Sequence, residues 1–143
     1  MSKRSFRISY RAEKLGGYNS LVLFGDDTKT PEKVRAAIDR TNKNAKLHDY
    51  EVEQYSIIRE TVQTVRDDDG RFICRSCFDS VIEVYPAEPD KTLRFYVMYY
   101  QPSKYGCLCE MSTYHMDKAI DCCKRMPGTY VKDNTGRIII TNQ

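Results

Sequence analysis

The sequence has no long apolar stretch. Its apolar runs, such as residues 21–24 and 138–140, have the length of a β-strand, whereas a membrane-spanning helix needs about 20 apolar residues. Residues 1–4 are basic, but an alternating segment follows them instead of the apolar core of a secretion signal. We therefore expect a protein that is neither membrane-spanning nor secreted by this route, with a cytoplasmic location.

Motifs of several enzyme classes are also missing. The sequence contains no glycine-rich phosphate loop, no metalloprotease helix and no serine-centred nucleophile elbow, and it has only two histidines. Six cysteines are too few for a disulfide scaffold in 143 residues, so we expect reduced thiols. The composition favours a protein that acts by binding rather than by catalysis, without a metal or cofactor.

Charge is distributed unevenly along the chain, although the net charge is only +3. Residues 49–90 carry eleven acidic and four basic side chains, while the segments on both sides of them are basic. A chain of this length can bury one core without metal or disulfide bonds. We expect a single domain, residues 1–143, with an acidic central third.

Hydrophobic periodicity predicts an α+β fold with a mostly antiparallel sheet. Thr30 has the preference of a helix N-cap and Pro31 that of a first helical residue, and the first helix is expected to fray at residues 42–44. A second helix is expected from Ser112 or Thr113 to Arg125. The element order is β-β-α-β-β-β-α-β-β, with both helices packed on one face and no internal repeat.

A long central hairpin is the most specific structural prediction. Two strand-like runs, residues 51–66 and 71–85, flank an Asp69-Gly70 pair that is typical of a type I′ turn. The resulting register pairs residues as follows: Ile57 with Ile82, Ile58 with Val81, Val62 with Cys77 and Val65 with Cys74. It also places Glu60 opposite Asp79, and because two carboxylates repel each other, a bulge or a different turn stays open.

The cysteines allow two chemical hypotheses. Cys74-x-x-Cys77 has the spacing of half a zinc site, but in a strand these two positions project to opposite faces. Cys107 and Cys109 precede a predicted helix N-terminus, where a thiolate could be stabilised with His115 as a base. A cysteine-dependent enzyme is therefore an alternative, although buried structural cysteines explain the same residues.

Basic and aromatic side chains suggest a nucleic-acid-binding module as another alternative. Lys3, Arg7 and Arg11 share one face of the first strand and follow one another at four residues, or about 13 Å, so they could contact a phosphate backbone. Tyr96 and Tyr100 share one face of a later strand and could stack on bases. The opposing interpretation is ordinary solvation of the basic residues and burial of the tyrosines in a core.

The acidic hairpin carries the leading hypothesis, a non-enzymatic protein-interaction module. Asp67, Asp68 and Asp69, with Glu60 and Asp79 nearby, would present negative charge to the basic surface of a nucleic-acid-binding protein. Such a domain would be a small inhibitor or adaptor, for example one encoded by a phage or mobile element. The oligomeric state, and whether the hairpin is exposed or lies in an interface, stay open.

Overall fold

The computed structural model describes residues 2–17 and 19–143, so Met1 and Tyr18 lie outside the described residues. The α+β class and the predicted order of elements are confirmed, with one further strand before the second helix. The elements are β1 (Lys3–Lys14), β2 (Ser20–Leu21), a 3-10 turn (Gly25–Thr28), α1 (Pro31–Leu47), β3 (Tyr55–Arg66), β4 (Phe72–Tyr85), β5 (Phe95–Tyr99), β6 (Cys109–Thr113), α2 (Met116–Arg125), β7 (Thr129–Asp133) and β8 (Ile138–Asn142).

The strands form two antiparallel sheets. Sheet A has the order β2-β1-β3-β4 and sheet B has the order β6-β5-β7-β8. The contacts divide the chain into two compact units. Unit 1 comprises the described residues up to Lys43 together with Glu53–Pro89, and unit 2 comprises Asn44–Val52 and Asp90–Gln143. The expectation of one sheet with both helices on one face differs from this arrangement, because periodicity does not specify which strands pair. The single domain stays a prediction.

Helix α1 covers part of sheet A. Val34 and Ile38, four residues apart on α1, are fully buried and pack with Ala12 of β1 and Ile57 of β3. Thr30 Oγ accepts a hydrogen bond of 3.2 Å from a backbone N–H in the first helical turn, as expected of an N-cap. The helix continues to the residue before His48, beyond the predicted fraying end.

Unit 2 has the same topology and the same helix-on-sheet packing as unit 1. Ala119 and Cys123 are the fourth and eighth residues of α2, just as Val34 and Ile38 are of α1, and they pack with buried residues of β5 and β7. Both units have the connectivity β-β-α-β-β and the same spatial order of strands. The prediction that the chain has no internal repeat is therefore corrected: the repeat lies in the topology.

Unit 1 differs from unit 2 by an extension of three strands. β1 begins nine residues before buried Ala12, whereas β5 begins two residues before buried Val97. Residues 3–11, 58–66 and 72–82 together form this extension, which we call the arm. Most of its side chains are exposed, including apolar ones such as Phe6, Phe78 and Val81, which are 63%, 56% and 61% exposed. The arm thus extends beyond the hydrophobic core of unit 1.

The turn at the end of the arm is longer by one residue than predicted. Asp67 N–H donates to Arg71 O over 2.9 Å, and Gly70 N–H donates to Asp67 O over 3.0 Å. Gly70 has a φ of 82°, which an L-residue rarely adopts, so the loop is a turn followed by a left-handed glycine rather than a type I′ turn.

The register of the long hairpin is nevertheless confirmed over most of its length. A bulge at Ile73 shifts the pairing by one residue and so compensates for the longer turn. A second bulge, at Ile82, places Ile57 opposite Glu83 instead of Ile82. The confirmed pairs are Ile58–Val81, Glu60–Asp79, Val62–Cys77 and Val65–Cys74.

Candidate nucleic-acid interface

Helix α2 packs on one face of sheet B, and aromatic residues lie on the other. Val97 of β5 is fully buried against α2, and because side chains alternate along a strand, Tyr96 and Met98 project to the opposite face. Tyr96 lies opposite Lys132 of β7, and Met98 lies opposite Tyr130. We call this surface the open face of sheet B, since within unit 2 the helix packs on the other side.

Two tyrosine rings lie next to each other at one end of the open face. The ring centroids of Tyr100 and Tyr130 are 4.7 Å apart, with an angle of 42° between the ring planes. Tyr100 directly follows β5 and is 43% exposed. Tyr96 thus lies on β5, whereas Tyr100 lies just after the end of the strand instead of within it. The structure adds Tyr130 and Lys132, which the sequence interpretation missed.

An open hollow of about 720 Å³ lies on the same face. The turn of residues 133–136 forms one wall of it. Asp133 in this turn is engaged locally, because its Oδ1 accepts hydrogen bonds from the Thr135 hydroxyl and from two backbone N–H groups, which holds its pKa below the ordinary value. The remaining lining residues are Glu51, Tyr96, Met98, Cys109, Ser112 and Lys132.

A buried cation lies next to the hollow. Arg94 is only 4% exposed, and its Nη2 donates to Ser112 Oγ over 2.5 Å and to the carbonyl oxygen of Asp49. Its guanidinium carbon lies 4.8 Å from the centroid of the Tyr114 ring. Nε and Nη1 are buried without a hydrogen-bond partner among the described residues. Glu51 lines both the hollow and the small cavity beside Arg94, so a carboxylate lies close to this charge.

On the arm, Arg11 is held by three carboxylates. Its Nη2 lies 3.1 Å from Asp79, its Nε lies 3.1 Å from Glu13, and its Nη1 contacts Glu60. Partial burial lowers the pKa of Arg11, but the hydrogen bonds that Arg11 donates to Asp79, Glu60 and Glu13 outweigh it and raise the pKa above the ordinary value. The structure therefore brings one predicted phosphate contact together with two predicted partner-binding residues, and their charges offset one another.

Lys3 and Arg7, the other two predicted phosphate contacts, lie on the same face of the arm as Arg11. Lys3 and Arg7 alternate with Arg4 and Phe6 on β1, and Lys3 lies opposite Arg66 of β3. A hollow of about 170 Å³ lies near Arg7, and it is lined by Ser5, Phe6, Arg7, Val62, Thr64 and Arg75. Unit 1 therefore carries its own basic surface, to which β3 and β4 also contribute.

In the acidic turn, a carboxylate oxygen of Asp67 accepts hydrogen bonds from the backbone of the turn itself. Asp67 Oδ1 accepts the backbone N–H groups of Asp69 and Arg71 over 2.9 and 2.8 Å. Asp68 and Asp69 are exposed, but Arg66 and Arg71 flank the three aspartates in the sequence. The end of the arm therefore carries mixed charge rather than a purely negative surface.

The zinc spacing lies in a regular part of β4. Cys74 lies opposite Val65 and Cys77 opposite Val62, so the two thiols project to opposite faces of sheet A, as predicted. Within residues 2–17 and 19–143, no three His, Cys, Asp or Glu side chains are grouped to hold a metal ion.

Cys107 lies in the loop before β6, and Cys109 is the first residue of β6. Burial raises the pKa of the Cys109 thiol, and its Sγ lies 3.3 Å from Met111 O. Catalytic cysteines need the opposite shift, toward the thiolate. Cys107 is exposed and its backbone N–H donates to Ser103 Oγ over 3.0 Å, while His115 is the residue before α2.

Comparison with protein-family models, curated proteins and solved structures found no match to this chain. Of the two α-helices in the described part of the chain, neither has the length and apolar character needed to cross a membrane. The function is therefore argued from the geometry of the two units.

Proposed function

We propose that the protein is a nucleic-acid-binding module that holds single-stranded RNA or DNA on the open face of sheet B. The observation that carries this proposal is the placement of tyrosines on the two central strands, Tyr96 on β5 and Tyr130 on β7. Aromatic side chains on the uncovered face of a four-stranded sheet stack on unpaired bases, and each stacked base contributes about 1–3 kcal/mol.

Positive charge on the same face supports an anionic ligand. Lys132 lies directly opposite Tyr96, so a phosphate next to a base stacked on Tyr96 would be within reach of the ammonium group. The buried Arg94 offsets the charge of Glu51, which lines both the hollow and the small cavity beside Arg94. The hollow provides space for an extruded base next to these charges.

The protein-interaction hypothesis based on the acidic hairpin stays a prediction. The geometry favours it less, because Asp67 is engaged in its own turn and Arg11 contacts both Glu60 and Asp79. Its own test is a triple reversal of Asp67, Asp68 and Asp69 to lysine, which should weaken binding to a basic partner if the turn is the contact.

Fluorescence anisotropy with labelled single-stranded RNA, single-stranded DNA and duplex DNA tests the proposed function. We expect micromolar binding of the single strands at low salt and weaker binding of the duplex, whose bases are already stacked. Tyr130→Ala should weaken binding about tenfold, since it removes one stacking contact, whereas Tyr130→Phe should retain most of the affinity.

Tyr105→Ala is the matched control. Tyr105 is 83% exposed in the loop between β5 and β6, outside the hollow, so its removal should leave affinity unchanged. Circular dichroism of each variant verifies the fold. The proposal fails if the wild-type protein binds no single strand at low salt, or if Tyr105→Ala and Tyr130→Ala weaken binding equally.

A further inference from the structure

Strand β4 presents a long open edge. It is the last strand in the order of sheet A, and no strand of the described residues pairs with its outer side. Its exposed apolar side chains are Phe72, Ile73, Phe78, Val81, Ile82 and Val84. Edge strands in monomeric proteins are usually short, bulged or rich in charge, because an open edge pairs with any compatible strand.

The two bulges of β4 leave a regular segment between them. Residues 74–81 pair without interruption with residues 58–65 of β3, and the bulges at Ile73 and Ile82 bound this stretch. The segment therefore offers eight consecutive residues of regular edge. Within it, Arg75 and Asp79 are the charged residues.

This segment is complementary to itself. If two copies pair antiparallel about Cys77, Arg75 of each copy lies opposite Asp79 of the other. A shift of the centre by one residue, to Ser76 or Phe78, would place Arg75 opposite Cys77 or Val81 and leave both charges unmatched. A twofold interface needs such a pattern, in which residue i contacts j and j contacts i.

We propose that the occupant of the β4 edge is a second copy of this chain, paired antiparallel about Cys77 in a twofold dimer. The two copies of sheet A then form one continuous sheet. Strand addition satisfies backbone groups along the edge, and the cross-strand pairs cover part of the exposed apolar surface of β4. Asp79 keeps its contact with Arg11 and gains Arg75 of the second copy. This inference does not depend on the nucleic-acid-binding proposal.

Charge complementation tests the register. In the Arg75→Asp dimer, each cross-strand pair brings two aspartates together. In the Asp79→Arg dimer, each pair brings two arginines together. Because like charges repel, both variants should dimerise at least tenfold more weakly than the wild type. An equimolar mixture restores two attractive pairs and should recover the dimer. Sedimentation velocity over a range of concentrations measures all three samples. Arg71→Asp, which changes the charge by the same amount as Arg75→Asp but lies in the turn, should dimerise like the wild type.

A second measurement locates the symmetry axis. A short bismaleimide should cross-link the reduced dimer through the two copies of Cys77, and Cys77→Ser should lose this product, while Cys74→Ser should retain it. A wild-type protein that stays monomeric at high concentration overturns the proposal. A dimer that forms as tightly in Arg75→Asp as in the wild type also overturns it. The same holds if the mixture of Arg75→Asp and Asp79→Arg contains no more dimer than either variant alone.

Discussion

Arg11 shows how one side chain removes a conflict in the sheet. The register places Glu60 of β3 beside Asp79 of β4. The guanidinium of Arg11, on β1, contacts both carboxylates. An isolated pair of like charges would destabilise the arm, whereas the bridged set is favourable. The pairing of Glu60 with Asp79 was predictable from the sequence, but the position of Arg11 was not, because it depends on the pairing of β1 with β3.

Arg11→Met should therefore destabilise the protein by about 1 kcal/mol, since the site is partly exposed and solvent screens the charges. The triple variant Arg11→Met, Glu60→Gln, Asp79→Asn should recover most of this loss, because it removes the repelling carboxylates along with the cation. Urea unfolding measures the free energy of each variant. Equal stability of Arg11→Met and wild type would show that the carboxylates do not need the bridge.

Asp90 predicts a pH dependence of stability. A hydrogen bond from Lys46, together with those from Thr92, lowers the pKa of Asp90 to about 2. Because the folded pKa lies below the unfolded value of about 3.9, the contribution is present above about pH 4 and is lost as the pH falls toward 2. Asp90→Asn should cost about 1 kcal/mol at pH 7 and almost nothing at pH 2 in urea unfolding. A cost that is the same at both pH values would contradict this assignment.

At the scale of elements, the two outer hairpins end in the same turn. The pattern Asp-x-x-Gly-Arg occurs at residues 67–71 and again at 133–137. In both turns the aspartate N–H donates to the arginine carbonyl over 2.9 Å, and the glycine N–H donates to the aspartate carbonyl over 3.0 Å. A bulge follows each turn, at Ile73 and at Ile139. This pattern was the signal of the repeat in the sequence.

Glycine in these turns should be needed only for its backbone conformation. Gly136 has a φ of 91° and open space around the position of a Cβ atom, so Gly136→Ala should cost about 1 kcal/mol without any clash. Gly136→Asn should cost less, because asparagine tolerates the left-handed region. Gly17→Ala is the control, since Gly17 lacks a positive φ and its Cβ would make only an ordinary contact. Thermal unfolding that ranks Gly17→Ala as the most harmful change would refute the argument.

Elements were predictable from the sequence where local chemistry specifies them. Thr30 and Pro31 mark the start of α1, and α2 ends at Arg125 as predicted. The strand β6 was missed because no strand pattern was recognised in residues 109–111, and Ser112 and Thr113 fit the start of a helix. Tyr130 of the open face was missed for a different reason: its place beside Met98 results from the pairing of β5 with β7, which no local pattern reveals.

At the scale of the molecule, one topology occurs twice and its two copies differ in what they expose. Unit 2 keeps short strands and an aromatic open face, whereas unit 1 extends three strands into the arm. The arm lengthens the open edge of β4 and adds charged side chains. It contributes little to the hydrophobic core, since it lies largely outside the buried cluster of unit 1. The two proposals therefore assign ligand binding to unit 2 and self-association to unit 1.

This separation predicts a weak salt dependence of nucleic-acid binding. If stacking on the open face provides most of the affinity, Lys132 neutralises about one phosphate, since Arg94 is buried, and the slope of log K against log salt should be about −0.7 for a single strand. Lys132→Ala should make the slope shallower by about 0.7, while the control Lys3→Ala on the arm should leave it unchanged. A slope steeper than about −4 that becomes shallower in Lys3→Ala and Arg7→Ala would instead assign binding to the basic face of the arm, and the tyrosines of sheet B would then be structural.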